Sequence, residues 1–212
     1  MSGPALPRGL YAITDSERIP RGNLTARVAQ AIDGGAVLIQ YREKFLSREE
    51  RGREAQALVM LCRERGIPLI INDDIELAAA SAAAGVHLGQ NDAPVGQARR
   101  RLGPQAIIGV SCYNQLERAR AAASMGASYV AFGRFFPSRT KPGTVSAQPA
   151  LLAQSRKEID LPIAAIGGIT PENGAELIDA GADLLAVIHG VFGQPDIKAA
   201  AQAYAALFTF HH

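Results

Sequence analysis

Ala36-Val-Leu-Ile-Gln40-Tyr-Arg-Glu-Lys44 is the stretch from which the rest of the chain can be read. An apolar run with a polar tip describes a buried strand whose end reaches water. Side chains alternate along a strand, so Gln40, Arg42 and Lys44 share one face while Tyr41 and Glu43 take the other. An amide, a guanidinium and an ammonium then stand within about 14 Å of one another. Burying that cluster is costly without an anionic partner. At a strand end fraying into solvent, water would satisfy it. The stretch alone leaves both readings open.

The same unit recurs on either side. Upstream, Gly9–Thr14 reads as a strand, and Leu24–Asp33 as a helix closed by Gly34–Gly35. Downstream, Ser47 and Glu50 have the spacing of a capping box, which opens a helix to about Arg65, with Gly66 ending it. Apolar strands follow at Pro68–Asn72, Gly85–Gln90, Ala106–Ser111, Tyr129–Phe135, Pro162–Ile169 and Asp183–His189. Helical patterns cover Ile75–Ala83, Val95–Leu102, Gln115–Met125, Ala150–Glu158, Pro171–Ala180 and Ile197–Phe208. Strict alternation of near-continuous apolar strands with helices predicts a parallel sheet covered by helices. The number of units predicts an α/β fold of the (β/α)8 TIM-barrel type. It spans residues 1–212 as one domain, with 1–8 and 209–212 as flexible ends. A doubly wound open sheet is the rival; it needs fewer units or an alternating edge strand, and neither is present.

Composition excludes several classes. Net charge is +2, so no broad basic field attracts nucleic acid. Cys62 and Cys112 are far apart and outside metal-type spacing, which suggests free thiols in a reducing compartment. No apolar signal core opens the chain and no apolar run is long enough for a bilayer, so the expectation is a cytoplasmic protein without membrane contact. His211–His212 are left out of the argument.

In such a barrel the site lies at the C-terminal ends of the strands. Those ends carry Gln40, Arg42, Lys44, Asn72, Asp73, Gln90, Asp92, Ser111, Gly168 and His189, and the opposite ends carry glycine, proline and small apolar residues. Asp73 and Asp92 follow neighbouring strands. Two carboxylates suit Mg²⁺, which shares its shell with water and substrate phosphate; as the alternative, each aspartate could cap the helix after it. Asp74 reads as the helix-start residue. The Gly167–Gly168 turn suits a phosphate approached by backbone N–H groups, and Thr170 with Pro171 reads as a helix start; packing alone is the alternative. The long segment Pro137–Gln148, with Ser138, Arg139, Thr140 and Lys141, reads as a lid or a solvated loop. His87 reads as a satisfied core or mouth histidine, and Cys112 as packing.

Taken together, Leu10-Tyr-Ala-Ile-Thr14, Gln40-Tyr-Arg-Glu-Lys44, Ile71-Asn-Asp73, Gly85-Val-His-Leu-Gly-Gln-Asn-Asp92, Ile108-Gly-Val-Ser111, Phe136-Pro-Ser-Arg-Thr-Lys141 and Ala165-Ile-Gly-Gly-Ile169 resemble the thiamine-phosphate synthase family over nearly the whole chain. The resemblance implies a Mg²⁺-dependent transferase. It would condense 4-amino-5-hydroxymethyl-2-methylpyrimidine diphosphate with 4-methyl-5-(2-phosphooxyethyl)thiazole to give thiamine phosphate and diphosphate, in thiamine biosynthesis. It places the pyrimidine diphosphate on the segment Gln40, Tyr41, Arg42, Glu43 and Lys44 with Asn72, Ser111 and Lys141. Arg42, Lys44, Ser111 and Lys141 are the expected catalytic residues. It places the thiazole phosphate on Ser138, Arg139, Thr140, Gly168, Ile188 and His189, and Mg²⁺ on Asp73 and Asp92. This chain departs from the family at Ser138, where threonine is frequent, at Arg134, where proline is frequent, and at His189, where serine is usual; His189 could add a pH-dependent cation. Expected partners are small phosphorylated substrates, with neither nucleic acid nor membrane, and a homodimer stays open. Two rivals remain: a thiazole tautomerase-like isomerase on the same fold, which needs neither the two metal carboxylates nor a diphosphate cradle, and a non-catalytic phosphate-ligand sensor, which needs an attached interaction module.

Overall fold

Alternation within β2 (Ala36–Tyr41) sets the inside and outside of the molecule. Leu38 joins an inner core with Tyr11, Ile70, Ile107, Tyr129 and Leu184, while Ile39 and Tyr41 belong to an outer core under the helices. The computed structural model describes residues 6–15, 22–137 and 146–209. Around β2 its elements run β1 (Gly9–Ile13), α1 (Leu24–Asp33), α2 (Arg48–Glu64), β3 (Leu69–Asn72), α3 (Ile75–Ser81), β4 (Gly85–Leu88), α4 (Val95–Leu102), β5 (Ile107–Tyr113) and α5 (Leu116–Ser124). They continue as β6 (Tyr129–Gly133), α6 (Ala150–Arg156), β7 (Ile163–Ile166), α7 (Gly174–Asp179), β8 (Leu184–Val187), α8 (His189–Phe192) and α9 (Ile197–Leu207).

The strands pair in sequence order, all parallel, and β8 returns to β1 to close an eight-stranded barrel. Closure leaves no open sheet edge, which rules out the open doubly wound alternative. Both cores are apolar, and each fully buried Leu or Ile contributes about 1.5–3 kcal/mol. Gly109 admits a large inner residue: a Cβ there would lie 2.0 Å from the Tyr129 ring.

Helix starts follow local chemistry. Ser47 and Glu50 make the expected capping box on α2, with the Glu50 N–H donating to Ser47 Oγ at 3.3 Å and the Ser47 N–H to Glu50 Oε2 at 3.0 Å. Asp74 caps α3 by accepting from the Leu77 N–H at 2.9 Å. Strands four, six and seven end at Leu88, Gly133 and Ile166, two to three residues before the expected ends, and two further boundaries change. The helix foreseen from Pro171 starts at Gly174, because Asn173 Oδ1 accepts from the Thr170 N–H at 2.8 Å and holds residues 170–173 in a turn. Strand eight ends at Val187 rather than His189: Ile188 leaves the extended region at φ −105, ψ −86, and His189 opens the short helix α8. Of the ends expected to be flexible, residues 1–5 and 210–212 lie outside the described residues, as does 138–145 within the long segment.

Candidate active site

A cavity of about 620 Å³ opens at the C-terminal ends of the strands. Gln40, Arg42, Asn72 and Ser111 line it from β2, β3 and β5, and Gly168, Ile188 and His189 from the segments after β7 and β8. Arg42 is held by its own backbone: its N–H donates to Thr14 Oγ1 at 2.9 Å, the Thr14 hydroxyl donates to its carbonyl at 3.3 Å, and the Thr14 N–H donates to the Gln40 carbonyl at 2.9 Å. Those bonds continue the β1–β2 ladder past the end of β2 and keep Arg42 on the same side as Gln40.

The rest of the polar tip divides by the strand period. Tyr41 faces away from the cavity, donating its hydroxyl to Glu54 Oε2 on α2 at 2.7 Å. Glu43 Oε1 accepts the N–H groups of Phe45 at 2.5 Å and Leu46 at 3.1 Å, bracing the turn after β2. Neither residue lines the cavity. Lys44 is exposed and outside the lining as well; its charge acts on Asp73.

Asp73 and Asp92 come together at the rim. The helix-cap alternative does not describe them: Asp74 caps α3, and α4 starts at Pro94 without a side-chain cap. Asp92 Oδ2 instead accepts the Gly89 N–H at 2.6 Å. Desolvation, the hydrogen bond that a protonated Asp73 donates to the Asp92 carboxylate, and the Asp92 charge push Asp73 up to about 6, opposed by Lys44 and Asn72, although the residue is exposed on its outer side. A divalent cation relieves such a pair of crowded carboxylates, so the two residues fit Mg²⁺. Among the described residues no group of three or more His, Cys, Asp and Glu could hold a metal. Other positions on an ion at this pair would fall to substrate oxygens and water, the arrangement that Mg²⁺ tolerates well.

Gly168 takes φ 67 and sits so close to the start of the long segment that a Cβ would lie 2.4 Å from the Pro137 carbonyl oxygen. That position excludes side chains and leaves backbone facing the cavity. His189 lines the same cavity, and its Nδ1 is buried without a hydrogen-bond partner among the described residues. Ser138, Arg139, Thr140 and Lys141 lie outside the described residues.

Sequence reasoning missed much of the lining. Tyr11, Tyr113 and Tyr204 all face the cavity, and Arg134, noted in the sequence only as a departure from the family, lines it too. His87 was expected to be satisfied, and it is, between Tyr129 and Ser111. Tyr11 reads as a core aromatic, yet its inward register beside Gln40's strand was available as a signal, since a buried phenol needs a partner for its hydroxyl. Cys112 is fully buried and its thiol is pushed up to about 12 by desolvation, so it is packing and not a nucleophile. No helix among the described residues is long and apolar enough to cross a membrane.

Comparison with known proteins fits this geometry. A family model described as thiamine monophosphate synthase matches residues 10–191. The chain is 56% identical over 197 residues to a thiamine-phosphate synthase from Nitrosococcus oceani, covering 93% of this chain and 91% of that one. It is 52% identical over 206 residues to one from Marinobacter nauticus, covering 96% and 92%. Among solved structures, a thiamine phosphate pyrophosphorylase from Pyrococcus furiosus superposes with a TM-score of 0.87 at 32% identity, over 95% of this chain and 96% of that one. A family match across almost the whole barrel, agreeing with a barrel mouth that gathers cations, paired carboxylates and a glycine turn, shows that the chain belongs to the thiamine monophosphate synthase family.

Proposed function

We propose that the cavity binds a pyrimidine diphosphate and a thiazole phosphate side by side and joins them into thiamine phosphate, releasing diphosphate. The observation that carries the reading is one cavity lined by Arg42 on one side and by Gly168 and His189 on the other, with the carboxylate pair Asp73 and Asp92, outside the lining itself, following the neighbouring strands β3 and β4 under the charge of Lys44.

Chemically, the bond from the pyrimidine methylene carbon to the diphosphate oxygen breaks, and a bond from the thiazole nitrogen to that carbon forms. The electron pair leaves with diphosphate, and the nitrogen becomes positively charged without losing a proton. No general base is needed, which suits a site with no nucleophilic thiol or hydroxyl–imidazole–carboxylate triad among the described residues. Gln40, Asn72 and Ser111 orient the pyrimidine. Arg42 and Lys44, with Lys141 of the long segment, neutralise the departing diphosphate as its charge develops. Held by Asp73 and Asp92, Mg²⁺ would supply further positive charge to the diphosphate oxygens. Gly168, the Ile188–His189 backbone and the His189 ring, with Ser138, Arg139 and Thr140, hold the thiazole phosphate so that its nitrogen faces the carbon; positioning replaces acid–base work. The partners are thus small phosphorylated molecules, and the compartment is the cytoplasm. The tautomerase-like rival is disfavoured because an isomerase of an already assembled thiazole has no use for the carboxylate pair.

Mixing the purified protein with both substrates and Mg²⁺ tests the reading. Thiamine phosphate and diphosphate are expected in equal amounts. Isomerisation of the thiazole with no diphosphate release would replace it by the tautomerase reading.

A further inference from the structure

Across the barrel interior runs an unbroken chain of side-chain hydrogen bonds. Gln40 Nε2 donates to Tyr11 Oη at 2.5 Å. Tyr11 Oη and Tyr129 Oη are 2.7 Å apart, Tyr129 Oη is 2.8 Å from His87 Nδ1, and His87 Nε2 is 2.9 Å from Ser111 Oγ. Both ends, Gln40 and Ser111, line the cavity. Packing holds the middle in place. The Tyr11 and Tyr129 rings meet edge to face with centroids 5.9 Å apart, and Tyr129 stacks on His87 at 5.6 Å. In register, His87 pairs with Gly109 and Gly109 with Tyr129, so the Tyr129 ring reaches His87 through the space that Gly109 leaves.

Counting protons gives the chain a direction. A phenol or serine hydroxyl has one proton, and a neutral imidazole has one. Burial pushes both tyrosines well above their ordinary range, so each keeps its proton. Gln40 already donates to Tyr11, so the Tyr11 proton needs an acceptor, and Tyr129 Oη is the one in reach among the described residues. Tyr129 then spends its proton on His87 Nδ1, which must be bare. With its ring neutral, this count makes His87 the Nε2–H tautomer, donating to Ser111 Oγ. The Ser111 proton is left to point into the cavity, and the Gln40 amide oxygen is left as an acceptor.

We propose that Tyr11, Tyr129 and His87 are positioning residues that fix the polarity of this chain, so that the cavity meets its heteroaromatic substrate with an acceptor at Gln40 Oε1 and a donor at Ser111 Oγ. The proposal rests on the reading of this site as a pyrimidine site and deepens it to a specificity rule. An aminopyrimidine carries the complement, an exocyclic amine that donates beside ring nitrogens that accept. An oxo analogue, with a carbonyl in place of the amine, would set acceptor against acceptor at Gln40.

The direct test is ¹⁵N NMR of the full chain labelled in its histidine rings, at a pH where they are neutral, with His87 assigned by the signals lost in His87→Gln. The expected result is a protonated Nε2 and a bare Nδ1 at His87. In Tyr129→Phe, and separately in Tyr11→Phe, the KM for the pyrimidine diphosphate should rise about tenfold, the factor for one hydrogen bond, with the thiazole phosphate KM unchanged. The preference for the amino over the oxo pyrimidine should shrink with it. The NMR needs no substrate, so absence of turnover beside an Nε2–H His87 would sink the catalytic reading while supporting the polarity. An Nδ1–H His87 in the wild type overturns the proposal, as does a folded Tyr129→Phe protein with the wild-type pyrimidine KM.

Discussion

Replacing Asp73 by asparagine separates the cost of the carboxylate pair from its use. Asparagine keeps the shape, and it also tolerates the left-handed backbone at this position, φ 63, where alanine would add strain. Asp73 is displaced from 3.8 to about 6, chiefly by desolvation and by Asp92. A carboxyl raised in the folded state favours folding in its protonated form; that stabilisation is complete below 3.8 and is lost as pH rises through about 6. Near neutral pH the charged pair therefore strains the metal-free protein. The displacement corresponds to ~3 kcal/mol. Asp73 is exposed, and solvent screening reduces the figure to about 1 kcal/mol. Without metal, Asp73→Asn should thus raise Tm by about 2–4 °C in thermal denaturation with EDTA. Mg²⁺ with diphosphate should stabilise the wild type by ~2.7 kcal/mol at a hundredfold excess over Kd, and the variant by much less. Turnover of the variant should fall by about 10²-fold or more. A variant that melts lower than wild type in EDTA, yet gains as much from Mg²⁺, would refute the reasoning.

Three further outcomes follow from the same geometry. Gly168→Ala should raise the thiazole phosphate KM about tenfold or more, because its Cβ would collide with the Pro137 carbonyl oxygen at 2.4 Å and shift the backbone of the turn; steady-state kinetics with each substrate varied in turn checks this. His189→Ser should raise the thiazole phosphate KM about three- to tenfold with kcat unchanged if the ring touches phosphate, whereas an unchanged KM would assign the contact to the Ile188–Gly190 backbone alone. Ser47→Ala should remove the capping box of α2 for about 1 kcal/mol, seen as a Tm lower by about 2–4 °C with unchanged kinetic constants.

The barrel was legible because the strands are mostly apolar over their buried length and some helices carry their own stop, as at Gly34 and Gly66. Boundaries were legible where one side chain decides them: Ser47 has a single backbone partner to satisfy, and the capping box forms as spaced. They failed where two local solutions compete. Thr170 and Asn173 can each organise the turn before α7, and Asn173 does so by accepting the Thr170 N–H, which delays the helix to Gly174. After β8 the apolar pattern carries on through Ile188, but the backbone turns there, so His189 enters the site from a helix rather than a strand.

The candidate site divides along the same line. Gln40 and Arg42 follow from the strand period, and the same period sends Tyr41 to Glu54 and leaves Glu43 to the turn after β2, so a contiguous polar motif is half lining and half brace. Asp73 could be told from Asp74 because only one of two adjacent aspartates can cap α3, and the second of them has the capping geometry. Tyr11, Tyr129 and His87 stayed hidden for a different reason. Each sits within an apolar strand and reads as core, and their polar atoms matter only through partners on other strands, up to 118 residues away in sequence. A linear pattern shows which face a residue takes. It does not show that inward positions on β1, β4 and β6 fall at one level of a closed barrel, where three polar tips must satisfy one another and so orient the two ends, Gln40 and Ser111, that meet a ligand.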